Sequence, residues 1–139
     1  MAAARFLSTK VGEVMTRNVI CLSPDMTATE VARIIAERGV EGFPVVSEGK
    51  PIGIVTGWDL LTKVVARGVD PNTVRVRDFM TESPITCSPD DSILEVAKLM
   101  AKHGVKRVPV VKDGRIVGIL TPYDILIYRR ITEHADLGH

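Results

Sequence analysis

Two short segments of the sequence have residue types and spacing suited to binding a phosphorylated ligand. Thr56 precedes Asp59 by three positions and Thr121 precedes Asp124 by three, each directly after an apolar run. A helix that begins at such a Thr presents unpaired N–H groups that attract phosphate, and a nearby carboxylate can accept hydrogen bonds from ribose hydroxyls. The same pair could instead cap its own helix, which stabilises it by about 1 kcal/mol without any ligand. The residues alone leave both interpretations open.

The other reactive residue types form no recognisable catalytic constellation. His103 falls near a predicted helix end, where a cation is favoured by the dipole, and His134 and His139 have no acid, base or nucleophile partner in the pattern. Cys21 and Cys87 lie outside any C-x-x-C pair, so we expect two buried, reduced thiols and neither a zinc site nor a disulfide. With no metal-ligand cluster and no Walker-type glycine loop, the sequence predicts a protein that is not an enzyme.

Composition and charge set wider limits on function. The chain has 139 residues with a formal net charge of +1, which argues against a generic nucleic-acid binder. Hydrophobic residues make up 45% and charged residues 25%, as in folded globular proteins. No apolar run approaches the roughly 20 residues that span a bilayer, and the opening Met1 to Arg5 lacks the apolar stretch of a secretory signal. We therefore expect a cytoplasmic protein that does not enter a membrane.

The sequence repeats itself at a shift of 65 positions. Without a gap, 11–65 aligns with 76–130, and about 22 of about 55 aligned positions are identical. This predicts two copies of one unit, 11–65 and 76–130, joined by the linker 66–75. An N-terminal segment, 1–10, and a C-terminal tail, 131–139, fall outside the duplication.

Each copy contains the signals of a β-α-β-β-α unit. The first helix has a capping pattern, Thr27 with Glu30 or Ser92 with Glu95, and ends at a glycine. Two apolar runs separated by Glu-Gly or Asp-Gly then predict a hairpin, and the proline in its first strand fits a sheet edge or the start of a strand. In the first copy we expect a short strand at 19–22, a helix ending at Gly39, strands at 43–46 and 52–55, and a second helix from Thr56. In the second copy the counterparts are 85–87, Gly104, 108–111, 116–120 and Thr121.

This arrangement resembles a tandem pair of cystathionine β-synthase (CBS) domains. The resemblance rests on the Met-Thr openings, the Gly-Val-x-x-x-Pro-Val-Val segments and the two endings with Thr and Asp three apart, and it covers about residues 10 to 130. It implies an α+β fold in which two units are related by a pseudo-twofold axis. It also implies two clefts between the units that bind adenosine nucleotides such as AMP, ADP or ATP, or S-adenosylmethionine.

The resemblance also assigns residues to these clefts. It implies ribose binding by Asp59 and Asp124, phosphate binding by Thr56, Thr121, Lys106 and Arg107, and an adenine pocket formed by Val19, Ile20, Val40, Ile54, Pro84, Ile85, Val105 and Ile119.

The two clefts implied by the resemblance differ in charge. The Asp59 cleft would include Lys106 and Arg107, whereas the Asp124 cleft would include Glu41 and Gly42. Because Arg makes charge-assisted, bidentate hydrogen bonds to phosphate, we expect the Asp59 cleft to bind AMP more tightly. The alternative, that the two basic residues form a solvated strand edge, remains open at this stage.

The function implied is a non-enzymatic regulatory module that senses an adenosine nucleotide, with AMP expected first. Such modules commonly form a homodimer through their helices, and a free-standing pair would act on a regulated protein in trans or serve as a buffer of the ligand. Trp58 and Tyr123 occupy equivalent helix positions, where they could pack at an interface or flank a cleft, and we expect the interface. The alternative function is a dimerisation or interaction module whose clefts are empty or bind S-adenosylmethionine.

Overall fold

The computed structural model describes residues 2–82 and 84–128 of the chain. These residues group into two compact units, of which one is Val19–Pro84. The other combines the described residues up to Asn18 with those from Ile85 onward. Each compact unit therefore contains parts of both sequence repeats.

The elements follow the repeat, with a short additional helix at the N-terminus. In chain order they are α1 (Ala2–Leu7), a 3₁₀ turn (Val11–Glu13), α2 (Ala28–Arg38), β1 (Gly42–Ser47), β2 (Lys50–Thr56), α3 (Gly57–Asp59, continuing as a π-helix over Leu60–Val65), α4 (Val76–Phe79), β3 (Thr81–Glu82), α5 (Ile93–His103), β4 (Val108–Lys112), β5 (Arg115–Leu120) and α6 (122–128).

Each compact unit is built around one antiparallel hairpin. In the Val19–Pro84 unit, β1 pairs with β2 and β3 adds to the other side of β2. In the second unit, β4 pairs with β5. The tight turns are made by Glu48-Gly49 and Asp113-Gly114, all at positive φ, which is the conformation that a two-residue hairpin turn requires. Both predicted hairpins are confirmed.

The predicted helix signals are also confirmed. Thr27 caps α2 by accepting a hydrogen bond from the Glu30 N–H, and Ser92 caps α5 in the same way through Glu95. Both helices end at a left-handed glycine, Gly39 at φ 67° and Gly104 at φ 65°, a conformation that costs glycine little.

The predicted short strands at 19–22 and 85–87 are reduced to single bridging residues. Leu22 pairs in parallel with Val45, with its N–H donating to the Pro44 carbonyl at 2.9 Å and its carbonyl accepting from the Val46 N–H at 2.9 Å. The next ladder donors would be the nitrogens of Pro44 and Pro24, which carry no hydrogen. The parallel pairing is therefore limited to one residue of each strand, Leu22 and Val45.

The second unit repeats this interruption. Cys87 pairs in parallel with Val110 and bonds to the Pro109 carbonyl and the Val111 N–H. Pro109 and Pro89 stand where the adjoining donors would be. Proline thus sets the length of this strand in both units, and the proline-bearing strand β1 lies at the sheet edge as predicted.

The opening segment of each repeat packs in the core of the other repeat. Val11 and Met15 are buried with residues of the second repeat such as Val96 and Val110. Val76 and Phe79 are buried with residues of the first repeat such as Phe43. Each core is therefore completed by residues that lie far away along the chain.

Glycines on β2 and β5 allow this close approach. A Cβ at Gly53 would lie 2.7 Å from the Met80 sulfur and 2.9 Å from the Thr81 carbonyl oxygen. A Cβ at Gly118 would lie 2.6 Å from the Met15 sulfur and 2.9 Å from the Thr16 carbonyl oxygen. Such distances are too short for a Cβ atom. The Met-Thr pair of each repeat therefore packs directly against the strand glycine of the other repeat.

Candidate functional site

Asp59 lies at the start of α3 with both carboxylate oxygens engaged. Its Oδ2 accepts hydrogen bonds from the Thr56 N–H at 2.8 Å and the Thr56 hydroxyl at 3.1 Å. The Thr56 hydroxyl oxygen in turn accepts from the Asp59 N–H at 3.3 Å. Asp59 Oδ1 lies 3.1 Å from the Lys63 ammonium, and Asp59 is only 7% exposed. The capping arrangement proposed from the sequence is therefore formed.

Asp124 makes the equivalent cap at the start of α6. Its Oδ2 accepts from the Thr121 N–H at 2.9 Å and from the Thr121 hydroxyl at 3.1 Å, while the Asp124 N–H donates to that hydroxyl at 3.2 Å. Its Oδ1 accepts a hydrogen bond from the Thr16 hydroxyl at 2.8 Å, and the residue is half-buried.

The two aspartates thus form caps of the same kind, but the group that contacts Oδ1 differs between them. Lys63 neutralises Asp59 and also donates to the Phe79 carbonyl at 3.2 Å. A neutral hydroxyl, that of Thr16, occupies this place at Asp124. Two N–H groups in the first turn of α3 are also bonded, that of Gly57 to the Glu41 carbonyl at 2.8 Å and that of Asp59 to the Thr56 hydroxyl at 3.3 Å.

The remaining predicted site residues divide between the compact units. Val19, Ile20, Ile54 and Pro84 are half-buried in the Val19–Pro84 unit, where Val40 is 40% exposed. In the other unit, Ile85, Val105 and Arg107 are half-buried, Lys106 is exposed, and Ile119 is 9% exposed.

An apolar groove of about 510 Å³ lies within the second unit. Two predicted residues, Val105 and Lys106, contribute to its wall. The sequence did not indicate the groove, because α5, the segment 104–106 and α6 together form its walls. The remaining lining residues are Ala97, Met100, Ala101, Gly104, Pro122, Ile125 and Leu126.

The thiols differ in exposure. Cys87 is buried, and burial together with the nearby Asp91 carboxylate raises the pKa of its thiol to about 12. Cys21 is exposed, which corrects the prediction that both thiols are buried, although partial burial raises the pKa of its thiol as well. It alternates with the inward-facing Leu22, so its side chain falls on the outer side. Both cysteines are free.

Other candidate groups add no further chemistry. Between residues 2 and 128, apart from Ser83, no group of three or more His, Cys, Asp or Glu side chains could hold a metal ion. His103 lies in the last turn of α5, as predicted. His134 and His139, with the predicted tail 131–139, lie outside the described residues. In the part of the chain that the structure describes, every helix is too short or too polar to cross a membrane.

Comparison with known proteins identifies the family. The model of the CBS domain matches residues 11–66 and 76–130, in agreement with the duplication found in the sequence. The chain belongs to the CBS domain family. It is a tandem pair of CBS domains with a mixed helix and strand fold, as the resemblance implied.

Curated relatives extend this result. Over 121 residues, the chain is 44% identical to the uncharacterized protein MK0525 of Methanopyrus kandleri, covering 86% of this CBS pair and 62% of the relative. It is 32% identical over 128 residues to hypoxic response protein 1 of Mycobacterium tuberculosis, covering 91% and 88%. The chain thus spans less than two thirds of MK0525 but most of the mycobacterial protein.

A similar solved structure contains ligands. The CBS domain pair of protein MJ0100 was crystallised in complex with 5′-methylthioadenosine and S-adenosyl-L-methionine. It is 32% identical to this CBS pair, with a TM-score of 0.77, and the match covers 89% of this chain and 98% of that one.

Two residues that contact the aspartates were missed from the sequence. Lys63 lies one helical turn after Asp59, and this i, i+4 spacing of acid and base was a visible signal. Thr16 lies 108 positions from Asp124, so no local pattern could have indicated the contact.

Proposed function

We propose that this CBS pair is a non-catalytic regulatory module that binds an adenosine-containing ligand and signals its presence to a partner protein. The observation that carries the proposal is the duplicated cap, in which two hydrogen bonds from the preceding Thr hold a carboxylate at a helix N-terminus in each compact unit. The complex of the MJ0100 pair with two adenosine derivatives supports the same ligand class.

In this proposal Asp59 and Asp124 accept hydrogen bonds from ribose hydroxyls, and Thr56 and Thr121 bind phosphate where the ligand carries one. Both aspartates already orient their carboxylates through two hydrogen bonds from the preceding Thr, which limits the rotamer entropy lost when a sugar binds. Lys106 and Arg107 are proposed as further phosphate ligands. The apolar residues Val19, Ile20, Val40, Ile54, Pro84, Ile85, Val105 and Ile119 are proposed to contact the adenine.

The interrupted strands support this adenine assignment. Pro44 cannot donate to the Ile20 carbonyl, and Pro109 cannot donate to the Ile85 carbonyl, although both positions adjoin a parallel bridge. The ladder therefore does not use the Ile20 and Ile85 carbonyls, which are proposed to accept a hydrogen bond from the amino group of the purine.

A thermal-shift panel tests the proposal. We expect AMP, ADP, ATP, S-adenosylmethionine or 5′-methylthioadenosine to raise the melting temperature, because a ligand that binds only the folded state stabilises it, and GTP to have no effect. The double variant Asp59→Asn/Asp124→Asn should lose the shift while its asparagines keep an oxygen that can accept from the Thr N–H groups. A panel without any adenosine-dependent shift would contradict the proposal.

A second function, self-association, is favoured by the exposed faces of α3 and α6. Trp58 is 72% exposed and Leu61 58%, and their equivalents in the other unit, Tyr123 and Leu126, are 70% and 65% exposed. Large apolar side chains exposed at equivalent positions are typical of a protein interface. We propose that these faces contact a second copy of the chain, in line with the homodimer implied by the family.

A further inference from the structure

The two ribose-binding aspartates of the proposed function are not equivalent, because among residues 2–82 and 84–128 an ion pair is formed at Asp59 and none at Asp124. The Lys63 ammonium lies 3.1 Å from Asp59 Oδ1, 3.2 Å from the Phe79 carbonyl oxygen and 3.5 Å from the Thr81 hydroxyl. Lys63 therefore links the second turn of α3 to the segment that precedes and forms β3. Its side chain is 32% exposed, and that of Asp59 is 9% exposed.

We propose that Lys63 competes with the ribose of an adenosine ligand for Asp59, and so makes Asp59 the weaker of the two ribose acceptors. This inference rests on the proposed function. A ribose diol donates hydrogen bonds to carboxylate oxygens. At Asp59, Oδ2 already accepts two hydrogen bonds from Thr56, so Oδ1 is the atom that the sugar needs and that Lys63 holds.

Within the part of the chain that the structure describes, no cation competes at the equivalent position of Asp124. Oδ1 there accepts from the Thr16 hydroxyl, an uncharged group that can rotate and can itself accept a hydrogen bond from a sugar. Displacing the hydroxyl separates no charges, whereas displacing Lys63 from a carboxylate that is mostly buried does. The sequence counterpart of Lys63 is Tyr128, which supplies no ammonium.

This effect opposes the asymmetry expected from the sequence. Lys106 and Arg107 led to the expectation that AMP prefers the Asp59 side, but Lys63 acts against ribose binding at that aspartate. The attraction of phosphate by Lys106 and Arg107 and the competition by Lys63 can be separated by measuring ligand binding at Asp59 alone.

Isothermal titration of AMP into Asp124→Asn and into Asp124→Asn/Lys63→Met isolates the Asp59 side. We expect the Lys63→Met change to strengthen AMP binding by about fivefold, the size of one partly exposed ion pair expressed as an affinity. The gain should disappear with 2′-deoxy-AMP, which lacks one hydroxyl of the diol.

Two control variants separate competition from a general charge effect. Lys63→Arg keeps a cation beside Asp59 and should give no gain. Lys50→Met removes an exposed lysine of the same compact unit and should leave affinity unchanged. Melting temperatures of all variants establish that each is folded before titration.

The outcomes distinguish this inference from the proposed function. If none of AMP, ADP, ATP, S-adenosylmethionine and 5′-methylthioadenosine binds the unaltered protein, the proposed function and this inference are both refuted. If the protein binds other members of this panel but not AMP, the proposed function stands and the competition for AMP is refuted. If the unaltered protein binds AMP but Lys63→Met leaves affinity unchanged or weakens it in the Asp124→Asn background, the proposed function stands and the competition is refuted. Weakening would indicate that the ammonium contacts phosphate instead.

Discussion

Thr16 and Thr81 occupy equivalent positions in the repeat but make different contacts. The Thr16 hydroxyl donates to the Asp124 carboxylate at 2.8 Å, whereas the Thr81 hydroxyl accepts from the Lys63 ammonium at 3.5 Å. A short hydrogen bond donated to a carboxylate is stronger than a long one accepted from an ammonium that has other partners. The two units therefore hold their aspartates by different means.

Replacement of each threonine by valine should reveal this difference. We expect Thr16→Val to lower the free energy of unfolding by about 1 kcal/mol, because a carboxylate loses its donor, and Thr81→Val to lower it by less than half as much. Urea denaturation of the two variants measures both values. Equal losses would show that the Thr16 hydrogen bond contributes no more than its counterpart.

The raised pKa of the Cys87 thiol predicts how the stability of the protein depends on pH. Burial first, and then Asp91, raises this pKa to about 12, from an ordinary value near 9.0. The folded protein therefore keeps its proton where the unfolded chain loses it, so stability should be complete below pH 9 and fall as the pH rises toward 12. Unfolding free energies between pH 8 and 11 should decline less steeply in Cys87→Ala than in the unaltered protein; identical slopes would contradict this.

At the scale of elements, the sequence predicted most of the local structure. The helix caps, the left-handed glycines and the hairpin turns follow from side chains within a few positions of one another, as at Thr27 and Gly39. The length of the bridging strand was overestimated because the prediction considered the prolines only within the hairpin. Pro24 and Pro44 also remove the donors on either side of Leu22.

The pairing of the opening segments could not be predicted. Both repeats contain the same Met-Thr and the same glycine, so the sequence alone cannot tell whether Met15 contacts Gly53 or Gly118. The structure places it against Gly118, in the other repeat. Duplication reveals which positions matter but leaves contacts within a copy and contacts between copies indistinguishable.

Alanine at these glycines should disrupt the contact. We expect Gly53→Ala and Gly118→Ala each to lower the free energy of unfolding by about 1–3 kcal/mol, because the new methyl group would overlap a methionine sulfur and a carbonyl oxygen. Gly57→Ala is the matched control, since no atom lies within 4 Å of its added Cβ. Thermal denaturation compares all three. Equal stability of Gly53→Ala and Gly57→Ala would mean that the Met80 segment moves aside at little cost.

At the scale of the whole molecule, the opening segments tie the two repeats together. Each compact unit needs residues of both repeats for its core, such as Val11 in one and Val76 in the other. Neither repeat contains all of the core residues that its own hairpin buries. We therefore expect the tandem pair, rather than one repeat, to be the smallest part of the chain that folds.

The exposed faces of α3 and α6 predict that the protein self-associates. Leu61 and Leu126 lie on α3 and α6, while buried neighbours such as Val64 anchor α3 to the core. Glutamate at either exposed position should therefore be tolerated in the folded chain, but it would place a charge in an apolar contact between two copies, at a cost of several kcal/mol. We expect the unaltered protein to sediment at twice the 15.2 kDa chain mass and Leu61→Glu/Leu126→Glu to sediment as a monomer.

Val69→Glu is the control for this experiment, because Val69 is 38% exposed but lies outside α3 and α6. It should sediment as the unaltered protein does. An unaltered protein that remains monomeric at high micromolar concentration would refute self-association through these faces. A double variant that still forms the same oligomer would instead place the interface elsewhere on the chain. In both cases nucleotide binding can be measured on the same samples, because Asp59 and Asp124 are retained in these variants.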